Sequence, residues 1–381
     1  MVLKNAIIIN QKFQAEKCDL QISGDLIAKL KSNIEDDQII DLTDCYILPG
    51  FIDTHIHGAY GTRISDAEPK IQQMTKFEAT QGVTGLCITT ATSAFEDLLR
   101  QVDTAVEAAA RAETENSGSV IWGIHAEGPF ICEKYKGAMN PEYIIDPDPE
   151  KLDQLQKRAK GLLKILTIAP ETEGAIELIH HAVNQGLVVS MGHTNATYDE
   201  AQKAIEAGAT QATHLFNAMR GLHHREPGIL AAALNDPQVR CEMICDHVHL
   251  HPAVLQLIYQ CKTAEGINII SDSGHAAGLN VSQFEVDGMM RYVKDGVVRL
   301  ANGTIAGSAK TVLNGVQNLI RSGIPMGEVA KMASFNPAKT LKIDSITGSI
   351  AEGKRADLVV LDEHLNVKYT FVGGQCVYKA E

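Results

Sequence analysis

Strand-like and helix-like hydrophobic patterns divide this chain into three stretches. The first fifty residues read as short β segments, Asn5–Asn10, Leu20–Ser23, Leu26–Leu30 and Ile39–Leu42, separated by turn signals such as Ser23-Gly24-Asp25. The last forty have the same texture: Ala356–Leu361 is one strand candidate, and Val367–Val372 and Cys376–Lys379 flank Gly373-Gly374 as a hairpin. Two β-rich ends around a different middle predict one small β-sandwich domain built from both termini, residues 1–50 plus 344–381. In the middle, strand candidates end near Asp53, Thr90, His125, Ala169, Ser190, His214, Cys245 and Asp272. Helical patterns lie between them. The clearest is Phe95, Leu98, Leu99, Val102 and Val106, followed by Glu173–Gln185, Tyr198–Ala207 and Pro252–Glu265. Eight strands alternating with helices over ~220 residues have the size and rhythm of a (β/α)8 barrel. The expected fold class is therefore α/β, with the TIM-like barrel at 51–343. A doubly wound sheet would usually bring a glycine-rich phosphate fingerprint, and neither G-x-G-x-x-G nor G-x-x-x-x-G-K-[ST] occurs.

Composition narrows the function. Of 381 residues, 45% are hydrophobic and 21% charged, which excludes wholesale disorder. No apolar run approaches the ~18 residues of a membrane helix. The stretch Met1–Asn10 is too short in its apolar part for a signal peptide, so a cytoplasmic protein is expected. Lys+Arg 34 against Asp+Glu 47 gives a net charge of −13. A nucleic-acid binder would show a basic footprint, and an anionic substrate needs a locally basic pocket. The eight cysteines include no C-x-x-C and read as reduced thiols.

Catalytic groups of such barrels sit just after the strands. Strand one runs into Asp53-Thr54-His55-Ile56-His57-Gly58. Histidines at i and i+2 on an extended segment place both rings on one side, and two neutral imidazoles suit Zn, Fe or similar ions. Strand three ends in His125-Ala126-Glu127-Gly128-Pro129, strand five in Met191-Gly192-His193, strand six in Thr213-His214-Leu215-Phe216-Asn217, and strand eight in Ser271-Asp272-Ser273-Gly274. An H-x-H, an acid, two further histidines and a final Asp, each at the end of a different strand, form a specific pattern.

This pattern resembles the amidohydrolase superfamily, with H-x-H after strand one, Asp after strand eight and a sandwich from both termini. Gly348–Asp362, G-S-I-A-E-G-K-R-A-D-L-V-V-L-D, is similar to that superfamily's C-terminal signature. Within it, P-G-F-I-D-x-H-x-H-G at 49–58, H-x-E-G-P at 125–129, G-H-T-N-A at 192–196, T-H-L-F-N-A-M at 213–219 and R-E-P-G at 225–228 resemble the N-acetylglucosamine-6-phosphate deacetylases. The resemblance spans nearly the whole chain. It implies a divalent metal cofactor, one or two ions per chain among Zn, Fe, Mn and Co. Glu127, His193 and His214 match the family's metal ligands, and His55 and His57 can form a second site with Glu127 as bridge. Asp272 matches the general acid/base. Asn217, Ala218, Arg225 and His249, with Asp246, His247 and Val248, match positions that hold the sugar phosphate. The loop Ile305-Ala306-Gly307 falls where the family closes over substrate. Ala138 and Met139 belong to a substrate-facing segment, and Met139 stands where the pattern has a His. The strand-eight loop, S-D-S-G-H-A-A-G, also departs from a T-D-A-type start. The implied partner is a phosphorylated N-acetyl amino sugar, in the gluco or galacto form. A homodimer is also implied, in which Arg225 reaches the neighbour's substrate.

The chemistry of the residues agrees. Amide hydrolysis needs an activated water and a protonated amine. A metal at Glu127, His193 and His214 polarises the acetyl carbonyl and lowers the pKa of its water from 15.7 to roughly 7. Asp272 relays the proton, and Arg225 offers phosphate a planar fork. His125 is expected to support a neighbouring ligand or to be packed, rather than to bind metal itself, His275 is left open beside Asp272, and Trp122 belongs to the core. A cyclic amidase would usually carry a metal-bridging Lys after strand four, where Leu166-Thr167-Ile168-Ala169-Pro170-Glu171 has none. A deaminase would not use the H-x-E-G-P acid as a ligand. An inactive scaffold would be expected to have lost ligands, and none is missing.

Overall fold

The structure, a computed structural model, describes residues 1–115, 117–286 and 289–381. Eight parallel strands, β1 (Phe51–Ile56), β2 (Val83–Thr90), β3 (Val120–Glu127), β4 (Leu163–Ile168), β5 (Val188–Met191), β6 (Gln211–Ala212), β7 (Arg240–Ile244) and β8 (Ile267–Ile270), each pair with the next in sequence. The ring closes from β8 to β1. Asp272 N donates to His55 O at 3.0 Å, and His57 N donates to Ser273 O at 2.9 Å. At the same seam Ser271 Oγ donates to Asp53 Oδ2 at 2.5 Å. The strands β1, β2 and β8 are buried throughout. Parallel strands covered on both faces read as continuous apolar runs rather than alternation.

Helices α1 (Glu68–Thr80), α2 (Phe95–Glu115), α3 (Pro149–Ala159), α4 (Ala175–Asn184), α5 (Tyr198–Glu206), α6 (Gly228–Asn235), α7 (Pro252–Lys262) and α8 (Val312–Arg321) follow the strands. The α2 stripe packs as its spacing predicts, with Leu98, Leu99 and Val102 buried. Each such side chain contributes roughly 1.5–3 kcal/mol of burial. α5 starts on a capping box: Thr197 Oγ1 accepts from Glu200 N at 3.3 Å while Glu200 Oε2 accepts from Thr197 N at 2.8 Å.

Both termini build the small sandwich. One sheet runs Leu26–Lys31, Asp19–Ser23, Val2–Lys4, Ile39–Asp41 in spatial order. The other runs Gln375–Lys379, Val367–Val372, Leu358–Leu361, Tyr46–Pro49, Ile7–Ile9, Ala15–Lys17. Leu3, Ile8, Leu20, Ile47, Leu358 and Phe371 form its core. Tyr46–Pro49, paired with Leu358–Leu361, passes through Gly50 directly into β1. A Cβ at Gly50 would lie 2.2 Å from Thr84 Cγ2, so the two units join too closely for a side chain there.

After β8 the chain makes a four-stranded antiparallel ribbon, Gln283–Val286, Met289–Lys294, Val297–Leu300 and Ile305–Ser308. This corrects the expectation of a loop at Ile305-Ala306-Gly307. That segment is the last ribbon strand, and it is tied to the barrel by Ser308 N donating to Asp272 O at 2.9 Å. The signal was present. Asp295-Gly296, both at positive φ, joins Lys294 to its cross-strand partner Val297 as a two-residue hairpin turn does. Most of the ribbon's flanking positions are partly exposed, which hides the alternation of a half-buried strand. Elsewhere boundaries shift by a few residues: β3 runs on to Glu127, and β6 stops two residues before His214.

Candidate active site

At the C-terminal end of the barrel, four histidines and two carboxylates meet. His193, His214 and Asp272 leave their strands in the left-handed region, with φ of 48°, 30° and 47°. Such a conformation costs of order 1–3 kcal/mol for a residue with a side chain, and here it occurs at three residues of the cluster. Gly192 lets His193 in. A Cβ there would lie 2.5 Å from Thr213 Cβ in the barrel interior.

Hydrogen bonds at the far nitrogens orient three of the four imidazoles. His57 Nδ1 donates to the backbone oxygen of Thr89 at 3.1 Å, and His193 Nδ1 to that of Tyr135 at 2.8 Å. A carbonyl only accepts, so both Nδ1 atoms carry hydrogen. His55 Nδ1 meets Glu242 Oε2 at 2.9 Å. The Nε2 atoms therefore face inward. Glu127 Oε1 lies 3.1 Å from His193 Nε2, 3.0 Å from His214 Nε2 and 3.3 Å from His55 Nε2. Its other oxygen, Oε2, lies 3.1 Å from His57 Nε2. Asp272 Oδ1 closes the ring at 3.4 Å from His57 Nε2 and 3.7 Å from His55 Nε2.

Neutral imidazoles in these tautomers would point lone pairs at carboxylate oxygens and at one another, an arrangement that needs a proton or a cation between them. With protons alone, burial disfavours the imidazolium at His57, but Asp272 and Glu127 outweigh it and raise its pKa to about 9. His55 is likewise raised well above the ordinary histidine value, because Glu127 and Glu242 overcome burial. For Asp272 burial acts upward, yet the His57 and His55 charges bring it down to about 2. The same donors answer to a divalent ion. Glu127, His193 and His214 form one donor set and His55, His57 and Asp272 another, each with its ligand atoms within 4.8 Å of one another. Two imidazoles and a carboxylate are a donor set that Zn, Fe, Mn or Co accepts, so the residues fit a divalent metal.

Several supporting residues escaped the sequence reading. Glu242, buried within β7, accepts from His55 Nδ1, from Gln211 Nε2 at 2.8 Å and from His214 N at 3.2 Å, so it braces both donor sets. An acid inside an otherwise apolar strand, Cys241-Glu242-Met243-Ile244, was the available signal. Asp53 is fully buried, which raises its pKa to about 6 against the hydrogen bonds of Ser271 and the His55 amide. His125 is fully buried: Nδ1 faces Thr54 O at 3.2 Å, Nε2 faces Thr167 Oγ1 at 2.8 Å, and burial brings its pKa down to about 4.

A cavity of about 1080 Å³ opens above this cluster. Ala138, Met139, Asn217, Ala218 and His249 line it, as do Ile305, Ala306 and Gly307 of the ribbon. His249 Nδ1 lies 2.7 Å from Asp246 Oδ2, and that carboxylate raises the imidazole's pKa against the opposing effect of burial. Asp246, His247 and Val248 are not cavity wall. Asp246 instead braces His249 and accepts from Val248 N at 2.9 Å. Arg225 is also outside the cavity, exposed on its loop with Nη1 2.7 Å from His224 Nε2. His275, left open above, does line the cavity. Trp122 lies away from it, packed beside Ile52, Cys87 and Ile165.

A barrel with this donor constellation narrows the relatives, and a family model described as "Amidohydrolase family" matches residues 46–377. The chain belongs to the amidohydrolase family. This amidohydrolase is 30% identical to an N-acetylglucosamine-6-phosphate deacetylase of Lysinibacillus sphaericus, covering 98% of this chain and 97% of the relative. It is 36% identical to an N-acetylgalactosamine-6-phosphate deacetylase of Escherichia coli O157:H7, over 86% and 87% of the two chains. Among solved structures it is similar to a mutant N-acetyl-D-glucosamine-6-phosphate deacetylase from Mycobacterium smegmatis in complex with N-acetyl-D-glucosamine-6-phosphate. That match has a TM-score of 0.92 and 33% identity, and covers 100% and 99% of the two chains. Among the described residues no helix is long and apolar enough to cross a membrane.

Proposed function

We propose that this amidohydrolase hydrolyses the acetamide of N-acetylglucosamine 6-phosphate, releasing acetate and glucosamine 6-phosphate. The observation that carries the reading is Glu127 standing between two donor sets on the floor of a cavity whose wall holds His249, with Asp246 braced behind it. Glu127, His193 and His214 would hold one divalent ion, and His55 and His57, beside Glu127, would hold a second. Bound there, the metal supplies Lewis acidity toward an acetyl carbonyl and toward water. Asp272, ionised and at the edge of the cluster, takes the proton of the attacking water and returns it to the departing amine. Asn217, Ala218, Ala138 and Met139 face the sugar. His249, braced by Asp246, presents its ring to the phosphate, and the ribbon strand at 305–307 covers the substrate. The galacto epimer is the second reading, favoured by Met139, a thioether where a hydrogen-bonding His is the pattern, and by the galactosamine-phosphate relative.

Acetate release from a panel of N-acetylated sugars and sugar phosphates, using protein loaded with Zn, Fe, Mn or Co, tests both readings. Elemental analysis of the same protein is expected to find up to two ions per chain. The double variant His55→Ala, His57→Ala is expected to hold no more than one and keep part of its activity. A parent protein that never exceeds one ion with excess metal removes the second site.

Arg225 supports a homodimer, since it is exposed outside its own chain's cavity on the loop whose motif matches the phosphate-binding pattern. A lost guanidinium–phosphate contact is worth roughly 1.5–3 kcal/mol. Arg225→Ala is therefore expected to raise KM about tenfold or more for the phosphorylated substrate, with little change for the unphosphorylated sugar. Equal losses on both make Arg225 structural.

A further inference from the structure

Glu171 follows β4 on the barrel rim, and both of its carboxylate oxygens are taken up by the loop after β5. Oε2 accepts from Thr194 Oγ1 at 2.5 Å, and Oε1 accepts from Asn195 N at 2.5 Å. The roles are fixed by the partners. A backbone N–H only donates, and the Thr194 hydroxyl already accepts from Ala196 N at 2.9 Å, which leaves its own hydrogen for Glu171. The turn that presents the carboxylate is itself closed, because Thr172 N and Thr172 Oγ1 donate to Ala169 O at 3.3 Å and 2.8 Å. Glu171 is not a lining residue of the cavity. Its reach is indirect.

Thr194 stands directly after the metal donor His193 and is stitched to the loop after β6. Its N donates to Ala218 O at 3.1 Å, and its O accepts from Arg220 N at 3.0 Å, a parallel bridge to Met219. Ala218 and its neighbour Asn217 line the cavity. On the other side, the segment after β3 grips His193 itself: its O accepts from Cys132 N at 2.9 Å, and its Nδ1 donates to Tyr135 O at 2.8 Å. His193 and Ala218 both have a φ of 48°. Residues with side chains persist in that region only where their surroundings over-determine them. Glu171 supplies an anchor common to both loops, since Thr194 faces the donor on one side and the cavity wall on the other.

We infer that Glu171 is a positioning residue: through Thr194 its carboxylate locks the metal donor His193 and the sugar-facing wall at Asn217 and Ala218 into one unit, so that metal affinity and substrate affinity depend on the same contact. The inference rests on the deacetylase reading above. The opposite side of the site is built differently, because His57 and Asp272 are fixed by the backbone closure of β8 on β1. Glu171 therefore governs binding, and the proton relay at Asp272 does not pass through it.

Two measurements on the full chain test this: Zn titration by calorimetry, and steady-state acetate release from N-acetylglucosamine 6-phosphate with Zn in excess. Glu171→Ala is expected to weaken Zn binding at the Glu127, His193 and His214 set about tenfold, the lower end of what losing an outer hydrogen-bond partner costs a ligand. KM is expected to rise about tenfold, while kcat at saturating metal and substrate stays within about threefold of the parent. Thr194→Val removes the hydroxyl and keeps the branched shape, and is expected to move Zn affinity and KM in the same directions. Thr194→Ser restores the hydroxyl and is expected to return both to the parent values. A contact that only supported the fold would lower the active fraction, and with it the apparent kcat, but would leave KM and Zn affinity of the folded protein unchanged. Should Glu171→Ala fail to fold, the Thr194 pair carries the test. Parent KM and parent Zn affinity in Glu171→Ala or Thr194→Val, or a Thr194→Ser protein that behaves like Thr194→Val, overturns the inference while the deacetylase reading stands. A Zn-loaded parent that releases no acetate overturns the deacetylase reading and this inference with it.

Discussion

Asp272→Asn is expected to lower kcat by about 10⁴-fold, the upper end of what general acid–base catalysis contributes, while the ion of the Glu127, His193 and His214 set stays bound. The carboxylate sits 3.4 Å and 3.7 Å from the two histidines of the H-x-H pair, and an Asp carboxyl is ionised at neutral pH. It is therefore a ready proton acceptor beside the donor cluster. Asparagine keeps the shape and one acceptor oxygen but can neither take nor deliver the proton. Glu127, His193 and His214 do not depend on Asp272, so their ion should remain. The backbone at 272 is in the left-handed region, which asparagine tolerates better than most residues. Structure and that ion are thus preserved while the proton route is cut. Steady-state acetate release and elemental analysis on the same preparation decide the matter. Near-normal turnover ends the assignment of Asp272.

The second large effect is expected at Glu127. Glu127→Gln replaces two anionic oxygens by one neutral oxygen and an NH₂ group among four imidazole nitrogens, all within 3.3 Å of Oε1 or Oε2 and three of them oriented by their Nδ1 partners to offer lone pairs. Loss of an outer hydrogen-bond partner of a ligand typically costs 10–100-fold in metal affinity. Loss of the charged group shared by both donor sets should cost more than about 100-fold, with activity falling in step. Metal titration monitored by calorimetry gives the affinity directly. A variant that binds two ions as tightly as the parent removes Glu127 from the ligand set.

Much of the fold was legible because barrel strands are short, apolar and regularly spaced. The H-x-H pair was readable for a simple reason: period-two alternation puts His55 and His57 on one side whatever surrounds them, and their Nε2 atoms stand 3.3 Å apart. The α2 stripe and the Gly373-Gly374 hairpin followed from equally local rules. The ribbon at 283–308 was missed although Asp295-Gly296 marked its turn, because a ribbon with both faces partly exposed lacks a clean hydrophobic alternation.

What the sequence by itself determined is the set of strand ends that carry chemistry, each legible from its own few residues. The tertiary structure alone decided how those ends meet. Glu127 stands between two donor sets because β1, β3, β5, β6 and β8 end on one rim, which is a property of ring closure. Glu242 braces His55 and His214 across residues far apart in sequence, 187 and 28 positions away, and no local pattern encodes such a contact. Asp246 turned out to hold His249 rather than face the cavity, and Arg225 to lie outside it. Local periodicity reports which face of an element is buried. Which buried groups share a charge, a metal or a substrate depends on distances between elements, and those are set only when the ring closes.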